Sequence, residues 1–376
     1  MPRINQLFFK LFFLSIIAGF LSLSSCSEEE EENLNANLPE NVEFTYLPTD
    51  LNKMMVFGPI GTIRVIPKAH GGFRLKTFSK EATIPVYAMC DGIIHNIGKD
   101  TRTSSPGFAP DELVGYEYDD YTLNVAISRT ADMWYGHVTK LADEILAAAN
   151  DLNSGYGAEN RVKIEIKAGQ VIGYIGPHPG FDIGMFDFAK KLSFANPDRY
   201  SEYYRHNQPW TDYLTPALRE QVWLINPRTV EPRGGKINHD VPGTLAGNWF
   251  LEGTTEITEW SKQLVFAHHE IYGDKIAIAD ASPLVDGDGI LNDDKEPFLW
   301  FVKGNKPQPE DITVGSGFAT YEVSKWWLLL NNASAPIEGI VAVQLMDENT
   351  LKYEWFAGKK IAEVTDFTSE AKIYKR

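Results

Sequence analysis

Short apolar runs separated by polar punctuation fill most of the chain. Met54–Phe57, Thr62–Ile66, Ile84–Met89 and Gly92–Ile97 are β-branched or aromatic and bounded by glycine or proline, which predicts strands and turns. Residues 99–120, rich in Thr, Ser, Pro, Gly and Asp, read as a long loop. Strands are expected again over Tyr121–Ser128 and Met133–Val138. Val138–Asn150 has helical spacing, with Val138, Leu141, Ile145 and Leu146 on one side. Arg161–Ile166, Gln170–Ile175 and Phe181–Phe188 follow as strands, and the aromatic, mixed stretch 190–230 carries a helix over Pro216–Leu224. From Gly243 the pattern is all-β, with strands at Leu264–Ala267, Lys275–Ala279, Phe298–Val302, Thr320–Val323 and Ile340–Met346. Leu351, Tyr353 and Trp355 alternate with Lys352 and Glu354 after a turn at Asp347-Glu348-Asn349, so one strand face is buried and the other wet. The expected class is mainly β. A β domain over 41–190 is joined by a partly helical connector, 191–235, to a second antiparallel β domain, 236–376, that is either a barrel or a sandwich.

The first forty residues follow a different logic. Arg3 and Lys10 precede an apolar run, Leu11–Leu23, that is shorter than the roughly 20 residues a spanning helix needs. It ends in Leu23-Ser24-Ser25-Cys26, which resembles the lipobox of bacterial lipoproteins. The resemblance implies a signal peptide over 1–25, lipid on Cys26 and a membrane anchored through it. Ser27 and the run Glu28–Glu32 open an acidic tether, 26–40, too charged to collapse. The same run resembles the surface-export signal of Bacteroidetes lipoproteins. The expectation is therefore an outer-membrane lipoprotein, with the cell surface slightly favoured over the periplasmic face.

Composition narrows the function. Lys and Arg number 35 against 51 Asp and Glu, a formal charge of −16, and such an acidic chain is not built to neutralise nucleic-acid phosphates. Cys90 is the only cysteine besides Cys26, so the exported chain has no internal disulfide and must rely on the size of its core.

Three motifs in order carry a family resemblance. They are Ile84-Pro85-Val86-Tyr87-Ala88 with Asp91-Gly92-Ile93-Ile94, then Trp134-Tyr135-Gly136-His137-Val138, then Lys167-Ala168-Gly169-Gln170-Val171-Ile172-Gly173. Over roughly residues 60–190 the chain resembles the lysostaphin-type zinc endopeptidases that cut peptidoglycan cross-bridges. That family holds zinc with His-x-x-x-Asp and the second His of a His-x-His pair, while a His on the aromatic-x-His strand assists the reaction. By this resemblance His70 stands at the first ligand and His137 at the assisting position, but Arg74 replaces the Asp. A guanidinium cannot ligate zinc and its charge repels a cation. Aligning Phe186-Asp187 with the family's Phe-Glu puts Ile183 and Met185 where the two histidines belong, and neither is a useful zinc ligand. His178-Pro179-Gly180-Phe181-Asp182 repeats the first metal motif as a local string, which offers a rebuilt zinc site from His70, His137, His178 and Asp182. Strand alternation weighs against it, because Ile183, Met185 and Asp187 share one face and Asp182 is expected on the other, away from the cleft. His95 is expected on a strand face.

In the second domain, Gly247-Asn248-Trp249 with the terminal Arg376 resembles the lipocalin and calycin barrels, in which that tryptophan packs near the closed end against a late arginine. Asp286, Asp288 and Asn292 resemble half of a calcium loop, although Leu284 and Lys295 fall at its first and last ligand positions, and a solvated acidic turn is the plainer reading. His268-His269-Glu270 lacks the helical spacing of a zinc protease. The expected function is an envelope lipoprotein whose peptidase-like domain is catalytically degenerate and binds peptidoglycan, another glycan, a peptide or an envelope protein. The alternatives are an active zinc metallopeptidase with a rearranged site, and a carrier holding an apolar ligand in the second domain.

Overall fold

The strand-forming runs assemble into two separate β systems in the computed structural model, which describes residues 37–63, 66–105, 109–155, 157–254, 260–282, 298–325 and 335–376. Cys26 with its acidic run, and the acidic turn at Asp286, Asp288 and Asn292, lie outside the described residues. The first system uses β1 (Met54–Gly58), β2 (Gly71–Leu75), β3 (Ile84–Tyr87), β4 (Gly92–Thr103), β5 (Glu117–Ala126), β6 (Ala131–Val138), β7 (Lys140–Leu141), β8 (Glu159–Ile166), β9 (Val171–Ile175) and β10 (Gly180–Asp187). Seven of these form an antiparallel sheet in the order β1-β2-β10-β6-β5-β4-β8, and the other three form a small sheet, β3-β9-β7.

Alternation decides which side chains the large sheet buries. Leu123 and Val125 of β5, Met133 and Tyr135 of β6, and Phe181, Ile183 and Met185 of β10 join one core with Val86, Ile172 and Ile175 of the small sheet. Each such side chain contributes about 1.5–3 kcal/mol on burial. A one-residue slip of β10 would exchange three of them for Asp182, Gly184 and Phe186, so the register is strongly specified. The other face of the sheet is left polar.

Three expectations change. The two ends of 99–120 are strand, because Thr101, Arg102 and Thr103 pair with Asp119, Tyr118 and Glu117. Residues 101–103 are exposed, which explains their loop-like composition. The helix expected from Val138 shrinks to α1 (Asp143–Ala149), since Val138 and Leu141 belong to strands, and Leu146 points outward at 46% exposure. Thr62, Ile63 and Ile66 are not in a strand; the two isoleucines are buried against the second domain. The connector holds α2 (Glu202–Arg205) and α3 (Pro216–Trp223).

The second system comprises β11 (Gly247–Leu251), β12 (Gln263–His268), β13 (Ile276–Asp280), β14 (Phe298–Val302), β15 (Ala319–Lys325), β16 (Gly339–Asp347), β17 (Thr350–Ala357) and β18 (Lys372–Lys375). Each pairs antiparallel with the next and β18 pairs back to β11, so the domain is a closed eight-stranded barrel rather than a sandwich. Trp249, Phe266, Tyr321, Tyr353 and Tyr374 are buried in its core, and the Tyr353 hydroxyl donates to Asp280 Oδ2 at 2.8 Å. The Arg376 guanidinium lies 4.0 Å over the Trp249 ring and donates to the carbonyls of Val241 and Ala246.

A third apolar cluster joins the two systems. Ile60, Ile63, Ile66, Phe194 and Tyr200 pack against Phe250, Val265, Ala277 and Phe301 on the outside of the barrel. The Ile66 amide donates to Gln263 Oε1 at 3.1 Å, so the segment leading into β2 is fastened to β12.

Candidate functional site: a histidine–carboxylate cluster on the polar sheet face

The face of the large sheet opposite the core gathers the titratable groups. On β10 the buried positions are Ile183 and Met185, so Asp182, Gly184 and Phe186 look outward. This corrects the sequence expectation. Ile183 and Met185 face the core, and the cleft side of the strand carries Asp182. Asp182 Oδ2 lies 3.3 Å from His70 Nε2 and 3.5 Å from His137 Nε2. Gly72 stands opposite Asp182 on β2, and a Cβ there would meet the Asp182 carboxylate at 2.4 Å; this glycine makes room for the acid.

A bulge aims His137. Between the Leu123–Tyr135 and Tyr121–Val138 pairs, β6 has two residues where β5 has one, and His137 takes φ 62°, a left-handed conformation unusual for a side-chain-bearing residue. The extra residue lets Tyr135 and Val138 both enter the core while His137 turns to the polar face. Such a conformation costs on the order of 1–3 kcal/mol and persists where contacts over-determine it. Here His137 Nδ1 is 2.9 Å from Asp120 Oδ2, and the Arg102 Nε donates to the same oxygen. Asp120 is buried, and its Oδ1 has no hydrogen-bond partner among the described residues.

His178 completes the cluster from the turn before β10. Its ring stacks on that of His137 with centroids 3.7 Å apart, and its Nδ1 lies 2.7 Å from the Gly180 carbonyl and 3.1 Å from the Gly180 amide. The two rings have opposite protonation tendencies. Burial pushes His137 down, but the hydrogen bonds it donates to Asp120 and Asp182 and the charges on these carboxylates outweigh burial and raise it to about 9. Burial and the charge of His137 lower His178 to about 4. Burial raises the Asp182 carboxyl, yet hydrogen bonds to His137 and His70 and their charges hold it well below the usual carboxylate range.

His70, His137, His178 and Asp182 are thus brought together. Arg74 shares the outward face of β2 two residues beyond Gly72 and is exposed. Trp134 sets the far wall: its indole meets the His70 ring edge-on at 5.2 Å. A Cβ on Gly184 would lie 2.0 Å from Trp134 Nε1, and one on Gly136 2.3 Å from Cζ3, so the indole lies across both glycines. Asp120, Arg102 and Trp134 were not singled out as site residues from the sequence. A signal for Asp120 existed, since Asp120, Thr122 and Asn124 follow a period of two, but it lay in the stretch read as loop.

The donor set differs from the one that the lysostaphin-type resemblance implies. Two imidazoles close on one carboxylate oxygen, the third imidazole is stacked on the second, and Arg74 stands on β2 where that resemblance expects an acid. Among the described residues no group of three or more His, Cys, Asp and Glu side chains is arranged to hold a metal ion. His268 pairs with Glu310 at 3.3 Å in the barrel domain, outside this cluster.

No family model matches the chain, and no curated protein matches it. Among solved structures, the chain is similar to a mutant catalytic domain of the prophage-encoded M23 protein EnpA from Enterococcus faecalis, at 11% identity over 40% of this chain and 82% of that one, with a TM-score of 0.19. It is also similar to lysostaphin in solution, at 13% identity over 59% of this chain and 80% of that one, with a TM-score of 0.23.

Proposed function

We propose that the chain is an exported, lipid-anchored envelope protein whose first domain binds a cell-wall ligand without cutting it. The observation that carries this reading is the internal pairing of the cluster. Asp182 is shared by His70 and His137, and Asp120 by His137 and Arg102, so the charged groups answer one another. The exposed guanidinium of Arg74 beside them opposes a cation. The Cys26 motif and the acidic tether support placement at a membrane surface, and the aromatic side chains packed in the barrel core support a scaffold over a carrier.

A second reading, a metallopeptidase with a rearranged site, has one observation in its favour. The contacts of 3.3 and 3.5 Å are close to the roughly 3.3–3.4 Å donor separation of tetrahedral zinc with bonds of about 2.0–2.1 Å. The hold of Asp120 on His137 is of the kind that orients metal-bound imidazoles. Metal analysis after dialysis separates the two. The binding reading expects substoichiometric zinc and no release of fragments from purified peptidoglycan, with retention of the protein on that peptidoglycan. Stoichiometric zinc that disappears in His70→Ala, together with cleavage, overturns it.

A further inference from the structure

The polar face of the large sheet does not end at the histidines. Beyond Trp134 it continues as an open groove of about 730 Å³, within the range of small-ligand sites. Its floor is formed by Asn96 of β4, Asn124 of β5 and Asp132 of β6, with His95 alongside. Its apolar walls are the rings of Trp134, Phe186 and Tyr203, the last two packed edge-on at 5.0 Å.

Two features narrow what this groove takes. The first is unmet hydrogen-bonding capacity. Among the described residues, His95 Nε2, Asn96 Oδ1 and Asp132 Oδ1 are buried with no hydrogen-bond partner, and the His95 and Asp132 side chains stand 3.8 Å apart, too far to satisfy each other directly. Polar atoms in that state are destabilising unless a ligand or water meets them. The second is the sheet itself. The floor strands β4, β5 and β6 are paired on both sides, so their backbone groups are committed to the ladder. An extended peptide recognised by strand addition needs an open sheet edge, which the middle of a sheet face does not offer. Recognition must run through carboxamide, carboxylate and imidazole groups, which match the hydroxyls and amides of a sugar, and through flat rings, which match its C–H faces. Asp132 and Glu159 against Arg161 leave the lining without the positive excess a polyanion would need.

We infer that this groove is a saccharide site that takes an uncharged pyranose chain, with Trp134 as the stacking platform between it and the histidine cluster. The inference rests on the binding reading above and names the part of the wall that is held. The test uses the full mature chain and two probes, tetra-N-acetylchitotetraose and pentaglycine, followed by calorimetry and tryptophan fluorescence. Saccharide binding is expected, with a fluorescence change and a loss of at least tenfold in affinity in Trp134→Ala. Asn124→Ala, which removes one floor carboxamide and no ring, is expected to show a similar loss and covers the case in which the tryptophan variant fails to fold. Binding of pentaglycine alone, or saccharide binding indifferent to Asn124→Ala in a folded protein, overturns the saccharide site. If neither probe binds while whole peptidoglycan still retains the protein, the groove assignment fails and the binding reading stands. If peptidoglycan is not retained either, both fail.

Discussion

His137 and His178 lie ring on ring, centroids 3.7 Å apart, and only one of them favours a proton. His137 is raised from 6.5 to about 9, so its contribution to stability is complete below about 6.5 and is lost as pH rises through 9. His178 is lowered from 6.5 to about 4, so its contribution is complete above about 6.5 and is lost as pH falls through 4. Stability of the first domain is therefore expected to fall on both sides of an optimum near pH 6–7. His137→Gln should flatten the alkaline limb, and His178→Gln the acid limb. Thermal unfolding of the two variants from pH 4 to 9.5 checks this, and identical pH profiles for wild type and variants would refute it.

Asp120 is the buried support of His137. In Asp120→Asn the imidazole loses one of its two carboxylates, and its titration is expected to move down from about 9 by at least one unit. Because a charge-assisted hydrogen bond also goes, stability should fall by about 1.5–3 kcal/mol. Histidine ring NMR reads the first effect and chemical denaturation the second. An unmoved titration would mean that Asp182 alone holds the proton.

Gly184 is needed for the room it leaves. A methyl there would lie 2.0 Å from the Trp134 indole nitrogen, so Gly184→Ala must displace the ring. The expected cost is about 1–3 kcal/mol, with a shift in tryptophan emission. Gly115→Ala is the control for alanine in place of glycine at a position with nothing within contact distance, although its φ of 81° adds backbone strain. A normal emission spectrum in Gly184→Ala would show that the indole is not seated as described.

Arg376 closes the barrel by stacking on Trp249 and capping two carbonyls. Arg376→Ala should cost about 2–4 kcal/mol from the lost cation–π contact and hydrogen bonds. Arg376→Lys should recover only part of it, since an ammonium cannot stack and fork together. Equal melting temperatures of Arg376→Lys and wild type would contradict the planar role.

Much of this architecture was legible in the chain because period-two alternation is a local signal. Most strands of both systems and the meeting of Trp249 with Arg376 follow from short motifs, whereas β2, β7, β11 and β18 are too short or too polar to stand out, and the gathering of His70, His137, His178 and Asp182 is offered by a local string that strand alternation weighs against. What failed was the assignment of a face. Alternation groups Ile183 with Met185 and sets Asp182 apart, but it does not say which group the core claims, and the alignment to Phe-Glu put the cleft on the wrong side. The packing of Ile183 and Met185 against Tyr135 and Phe73 decides it, and that is tertiary information. Arg102 and Asp120 were missed for a related reason. Residues 101–103 are exposed, so this stretch has the composition of a loop, and only its partner across the ladder marks it as a strand.

The fastening of Ile66 to Gln263 gives the barrel a hold on the cleft. Ile60, Ile63, Ile66 and Ala69 precede β2 in sequence, yet they rest on the barrel's outer wall, and four residues after Ile66 the chain delivers His70 to Asp182. The barrel thus works as a splint set on one finger of the cleft. A substitution at Val265 of β12 or Phe301 of β14, outside the histidine cluster of the sheet, therefore acts on the segment that carries His70.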